Sequence, residues 1–150
     1  MQKRILIGKV QPAAYKAMAA LDNYMENSGL DKIQYELIKI RASQINGCAY
    51  CVNQHSAAAR KLGVSEQRVY VTAAWREAGD VFTEEERLIF AMTDEITLIH
   101  RQGLSQATYE KAIFAFGEEK TAQIIMAIIT INAWNRIGVS TEMHPPVAQG

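Results

Sequence analysis

The sequence holds two cysteines and three prolines in 150 residues, carries no net charge and has no long apolar run. Each shortage excludes something. Two cysteines cannot build the disulfide framework that holds small secreted chains together. Sixteen basic and sixteen acidic side chains cancel, which leaves no electrostatic pull toward nucleic acid or an anionic membrane. The basic residues are scattered: Lys3-Arg4, Lys39 with Arg41, and Arg60-Lys61 read as solvated helix faces. The most apolar stretch, Ile124 to Ile131, is eight residues long and includes Thr130, against the roughly 20 needed to cross a bilayer. The opening segment from Met1 to Gly8 has too few apolar residues for a signal peptide. These features predict a cytoplasmic protein with neither nucleic acid nor membrane as partner. In a reducing compartment a cysteine pair serves catalysis, redox sensing or metal binding rather than acting as a permanent staple.

What is present is helical punctuation. Pro12 suits a first helical position, and Tyr15, Met18, Leu21 and Met25 recur at helical steps until Gly29. Asp31 is an N-cap with Gln34 placed for a capping box, and Ile33, Leu37, Ile40 and Gln44 mark one face of a second helix. Asn46-Gly47 breaks it. A third helix is expected from Cys48 to Gly63, and a fourth from Ser65, carrying Val69, Thr72 and Trp75, to Gly79. Thr83 with Glu86 forms a capping box opening a fifth, whose Leu88, Met92, Ile96 and Ile99 are spaced for burial and which closes at Gly103. Ser105 starts a sixth reaching Gly117. A seventh runs from about Glu118 to Ile137 with Gly138 as its C′ residue. The β-branched run at Ile124–Ile131 favours a strand locally, but one long helix with clean ends fits better than a strand without a partner. The expected class is all-α, one domain over residues 1–150 with about seven helices, and a tail from Thr141 that is loose or docked on a neighbour.

The chemistry concentrates in Cys48-Ala49-Tyr50-Cys51 with His55. On a helix these three side chains lie at i, i+3 and i+7, on one face. An i, i+3 pair in a first turn meets the Cα separation that a disulfide needs. A helix N-terminus favours a thiolate over a thiol, and the thiolate is the nucleophile in disulfide exchange and in attack on peroxide. His55, one turn past Cys51, can take the thiol proton or stabilise the anion. Glu36 cannot share that helix across Asn46-Gly47. It can face the cysteines from the second helix if the two fold back, and there orient His55 or receive a proton.

The pattern of Glu36, Cys48, Cys51 and His55 resembles the redox branch of the alkylhydroperoxidase AhpD-like, or carboxymuconolactone decarboxylase, family, most closely between Tyr35 and Gly63. The resemblance implies an all-α, AhpD-like fold assembled as a homo-oligomer, a trimer or hexamer, without a cofactor. It implies reduction of hydroperoxides, or recycling of a peroxiredoxin, through the two cysteines, with a dithiol reductant or redox partner protein restoring them. It makes Cys51 the peroxide-attacking thiol, Cys48 the resolving thiol, and Glu36 with His55 a proton relay. The sequence departs from the family's peroxidases at Tyr50, where they carry a second histidine between the cysteines. A phenol there offers a hydrogen bond rather than a ready base at neutral pH. Decarboxylation is not expected, because that branch does not rely on a cysteine pair.

Other residues read more plainly. The cysteines could be two buried small apolar side chains. Cys48, Cys51, His55 and Glu36 are also four ligand types that zinc accepts, although structural zinc sites more often draw on two separated pairs. His100 and His144 are expected on the surface, Trp75 and Trp134 in the core or a subunit interface. Asn132, Asn135 and Arg136 are expected in capping or interface contacts. The very apolar seventh helix is expected to serve a subunit interface as well as the core.

Overall fold

The helix Lys32–Asn46 is the element around which the others pack. The computed structural model describes residues 4–147, and among these there are helices and no strands. In chain order they are α1 Ile7–Val10, α2 Pro12–Glu26, α3 Lys32–Asn46, α4 Ala49–Lys61, α5 Glu66–Val71, two 3₁₀ stretches Thr72–Glu77 and Gly79–Val81, α6 Glu84–Thr97 and α7 Gln106–Ser140. The run α7 bends at Gly117, whose φ of 73° and ψ of 175° are not helical. The expected sixth and seventh helices are its two segments, residues 106–116 and 118–140. No described helix is long and apolar enough to cross a membrane.

Caps set the starts where the sequence puts them. Asp31 Oδ1 accepts from the Gln34 N–H at 2.9 Å, though the Gln34 amide turns to Glu85 and leaves the reciprocal half of that box unmade. Ser65 and Ser105 cap α5 and α7. Thr83 and Glu86 form the complete box, with the Thr83 N–H donating to Glu86 and the Glu86 N–H to Thr83.

Burial departs from the expected single faces in two places. From Tyr35 to Ile40 every residue of α3 is buried, because one side of the helix joins a cluster with Met92, Ile124, Ala127, Ile128 and Ile131 and another joins Val69, Trp75, Phe82 and Phe90. A helix packed on both sides is apolar around most of its circumference. Lys39 goes inside with it at 5 % exposure, overturning its assignment to a solvated face. Conversely, α2 buries only Met25, and Tyr15 is 40 % exposed, because a single chain supplies no second layer over most of that helix.

Helix ends also move. The stretch expected as one helix from Ser65 gives way at Thr72 to 3₁₀ geometry with a non-helical Ala74, after the β-branched run Val69, Val71 and Thr72 that crowds a helical turn. Val69, Thr72 and Trp75 still face inward. The fifth helix stops at Thr97 rather than Gly103, and Ile99 is exposed. The run Ile124–Ile131 is helical, with Ile124, Ala127, Ile128 and Ile131 inside and Ile129 outside, a 3.6-residue period that no strand could show. The start of the tail docks on its own chain, the Met143 N–H donating to the Gly138 carbonyl at 2.9 Å. Gln149 and Gly150 lie outside the described residues.

Candidate active site

The site is built on the junction between α3 and α4. Gly47 adopts the left-handed conformation, φ 66° and ψ 28°, which costs a residue with a side chain more than it costs glycine. The Cys48 N–H reaches back to the Ser43 carbonyl at 3.0 Å, satisfying an orphan acceptor at the end of α3 as in a Schellman motif. Cys48 is then the N-cap of α4. The chain reverses in this way within two residues and lays α4 against α3.

That reversal brings Glu36 to His55 across nineteen positions, with Oε2 and Nδ1 3.0 Å apart. The other carboxylate oxygen meets the Lys39 ammonium at 2.7 Å. Burial would raise the Glu36 carboxyl, but the His55 hydrogen bond and the Lys39 charge outweigh it and hold it below the ordinary carboxylate range. An ionised carboxylate can only accept, so Nδ1 of His55 carries the proton and Nε2 is the basic nitrogen of the neutral ring. Lys39 also lies 3.8 Å from the Tyr35 ring centroid, and Tyr35 donates its hydroxyl to Asp22 at 3.2 Å. Burial and that aspartate push the Tyr35 phenol far up.

Both cysteines are free thiols and both are buried. Their sulfurs are 2.6 Å apart, so bond formation needs little backbone movement. The expectation of a favoured thiolate is overturned for Cys51. Burial, then the hydrogen bond its S–H shares with Cys48, pushes its thiol up to about 12 despite its place in the first turn of α4. Asn135, on α7, acts against this. At 1 % exposure it donates to the Ser43 hydroxyl at 2.9 Å and accepts from the Asn46 amide at 2.9 Å.

Cys51 and His55 open onto one cavity of about 210 Å³, together with Lys39, Tyr35, Tyr50, Trp134 and Met143. Cys48 sits behind Cys51 and does not line it. The structure therefore brings together Glu36, His55, Cys51 and Cys48, and places Tyr50 on the cavity wall. Trp75 is in the core, and His100 and His144 are exposed, as expected. Among the described residues no group of three or more His, Cys, Asp or Glu side chains is placed to hold a metal; Glu36 is occupied by His55 and Lys39 instead. Sequence reasoning missed Lys39, and it took Asn135 for a capping or interface residue. No local spacing links either one to the cysteines.

The model of the carboxymuconolactone decarboxylase family matches residues 12–95. Over 140 residues the chain is 35 % identical to the uncharacterized protein YdfG of Bacillus subtilis, covering 93 % of this chain and 95 % of that one. It is 36 % identical to the alkyl hydroperoxide reductase AhpD of Streptomyces coelicolor over 72 residues, 46 % of this chain and 40 % of that protein. The solved structure of an Agrobacterium tumefaciens protein of unknown function, proposed to be the antioxidant defence protein AhpD, superposes with a TM-score of 0.94 at 41 % identity, over 98 % of this chain and 100 % of that one. A carboxylate-bonded histidine beside a cysteine pair, on this helical frame, is thus the setting in which the family match falls, and the chain belongs to the carboxymuconolactone decarboxylase family as an AhpD-like member.

Proposed function

We propose that the chain is a thiol-dependent hydroperoxide reductase acting in antioxidant defence, with Cys51 as the attacking thiol. The observation that carries this reading is the shared cavity, which Cys51 and the Glu36-oriented His55 both line while Cys48 waits directly behind Cys51. His55 takes the Cys51 proton, and Glu36 holds the ring in the tautomer that leaves Nε2 free. The thiolate attacks the distal peroxide oxygen, the O–O bond breaks, and the alcohol leaves with a proton. Cys51 is then a sulfenic acid. The Cys48 sulfur attacks it, the S–O bond breaks, and water leaves as the disulfide forms. An external dithiol, small or protein-borne, returns two electrons and two protons. Tyr50 tunes the cavity as a hydrogen-bond donor.

A second reading, disulfide exchange with a partner such as a peroxiredoxin, draws on the same adjacent pair of thiols. The raised Cys51 thiol leaves little thiolate at neutral pH and slows either reaction wherever His55 does not assist. Association with further copies of the chain, as a trimer or hexamer, is supported by exposed apolar side chains: Val10 and Tyr15 at the α1–α2 end, and Ile129 and Val139 on α7.

The test is a free-thiol count on metal-stripped protein before and after one equivalent of an organic hydroperoxide. The expected result is a fall from two thiols to none, reversed by a dithiol, with Cys51→Ser keeping its single thiol. Two thiols that stay unreacted overturn the peroxidase reading. Rapid exchange with a protein disulfide in the same preparation would then favour the second one.

A further inference from the structure

We propose that Gly138 is a positioning residue: its missing side chain is what lets the Cys48 sulfur rest against Cys51, and it thereby governs closure of the disulfide. The inference rests on the dithiol chemistry proposed above. Gly138 does not end its helix, since α7 continues to Ser140 and Gly138 is not among the glycines with positive φ. Glycine inside a helix is destabilising relative to alanine, so the backbone alone gives no reason for it. The reason lies across the helix pair. A Cβ at position 138 would stand 3.0 Å from the Cys48 sulfur and 3.9 Å from the Cys51 sulfur. The second distance is ordinary contact, whereas the first is so tight that the Cys48 sulfur has to give by a few tenths of an ångström.

The conflict is therefore asymmetric. The Cys48 backbone is held by its N–H bond to Ser43 at 3.0 Å, and α7 by the Asn46 amide bonds to Asn132 and Asn135, so relief comes most easily from rotation of the Cys48 side chain. That rotation lengthens its 2.6 Å contact with Cys51. Cys51 keeps its place on the cavity. An added methyl group should thus spare the first oxidation of Cys51 and impede the second step, in which the Cys48 sulfur attacks and a leaving group departs from Cys51.

The experiment separates the two steps with two oxidants. Hydroxyethyl disulfide converts Cys51 to a mixed disulfide, releasing one mercaptoethanol, and attack by Cys48 then releases the second. A hydroperoxide gives the sulfenic acid, which closes with loss of water. In Gly138→Ala, closure should be slower by about tenfold or more. The mixed disulfide should accumulate by mass spectrometry, and the sulfenic acid should become trappable by dimedone. In a Cys48→Ser background, where only the first step exists, adding Gly138→Ala should change the rate of Cys51 modification less than about twofold. Should the alanine chain fold poorly, the same contact predicts that Cys48→Ser, with its smaller oxygen, restores its melting temperature.

Closure at the wild-type rate in Gly138→Ala overturns the proposal. So does an equal slowing of Cys51 modification in the Cys48→Ser background, which would mark a general structural effect. The hydroxyethyl disulfide arm does not depend on peroxide reactivity. Slowed closure there, in a protein inert to peroxide, would sink the peroxidase reading and leave the role of Gly138 standing.

Discussion

Replacing Glu36 by glutamine separates what the buried ion pair does for stability from what it does for chemistry. The side chains of Glu36 and Lys39 are 10 % and 6 % exposed, with 2.7 Å between charges. Breaking a buried pair by removing one partner costs about 3–5 kcal/mol, because the remaining charge is left uncompensated. Here Glu26 stays 3.8 Å from the ammonium, on a side chain that is half exposed, and offsets part of that loss. We expect Glu36→Gln to cost about 2–3 kcal/mol, which for a domain of this size lowers the melting temperature by about 4–12 °C.

Adding Lys39→Met removes the stranded charge and keeps a flexible side chain on the Tyr35 ring. The double variant should therefore recover to within about 1 kcal/mol of wild type. The rate of Cys51 oxidation should not recover with it. In both variants His55 faces an amide, which can turn its NH₂ as well as its oxygen toward Nδ1 and so no longer fixes the tautomer, and the loss expected for a misoriented general base is about 10²-fold. Thermal melts and single-turnover thiol oxidation on the same three proteins decide the matter. A double variant that regains the wild-type rate would refute the relay, and one as unstable as the single variant would refute the account of the pair. The acid limb of stability gives a check on sign. Folding holds the Glu36 carboxyl below its usual value of 4.5, so its contribution is complete above that pH and is lost as pH falls beneath it. The double variant should show a shallower acid limb.

Two further outcomes follow from the geometry. In His55→Ala the only attacking species is the small thiolate population of a thiol pushed up to about 12. Its oxidation rate should climb about tenfold per pH unit from pH 7 to 10, and stopped-flow rates that level off below pH 9 would show a far more acidic cysteine. Asp94, buried at 5 % exposure, accepts from Arg41 Nε at 2.6 Å, Trp75 Nε1 at 3.2 Å and Arg76 at 2.5 Å. Asp94→Asn should cost about 3 kcal/mol, chiefly by stranding Arg41, with peroxide oxidation at 25 °C unchanged; a melt like that of wild type would show the cluster to be dispensable.

The parts legible in the sequence are those that local geometry determines. The i, i+3 and i+7 relation among Cys48, Cys51 and His55 is a property of one helix, and the Asn46-Gly47 break states where that helix starts. The capping box at Thr83 is likewise written within four residues. Lys39, Asn135 and Gly138 were not legible, because each acquires its role from a partner on another helix. Lys39 follows Glu36 by one turn, a spacing that on most helices describes two solvated charges; only packing on both sides of α3 buries them. Gly138 shows the ambiguity most clearly. Glycine late in an apolar helix is read as a C′ residue, and sequence alone does not separate that use from a close approach of another element. The fifth helix ended early for a related reason: Ile99 continues the periodicity, but nothing faces it.

The same few residues therefore determine both the topology and the chemistry. The left-handed turn at Gly47 and the Cys48 N–H bond to Ser43 make the hairpin, and the hairpin is what lets a carboxylate on α3 orient an imidazole on α4. The Asn46 side chain extends that junction to α7, donating to Asn132 at 3.0 Å and to Asn135 at 2.9 Å. It thereby fixes the helix that carries Gly138 against the sulfurs. A buried amide network of this kind is favourable only when each member is paired, so losing one partner should loosen the register of α7 against the hairpin. The packing of Gly138 on the sulfurs and the cavity wall both depend on that register. Chemistry that needs placement to within half an ångström is in this way anchored in the most deeply packed part of the molecule rather than in its loops.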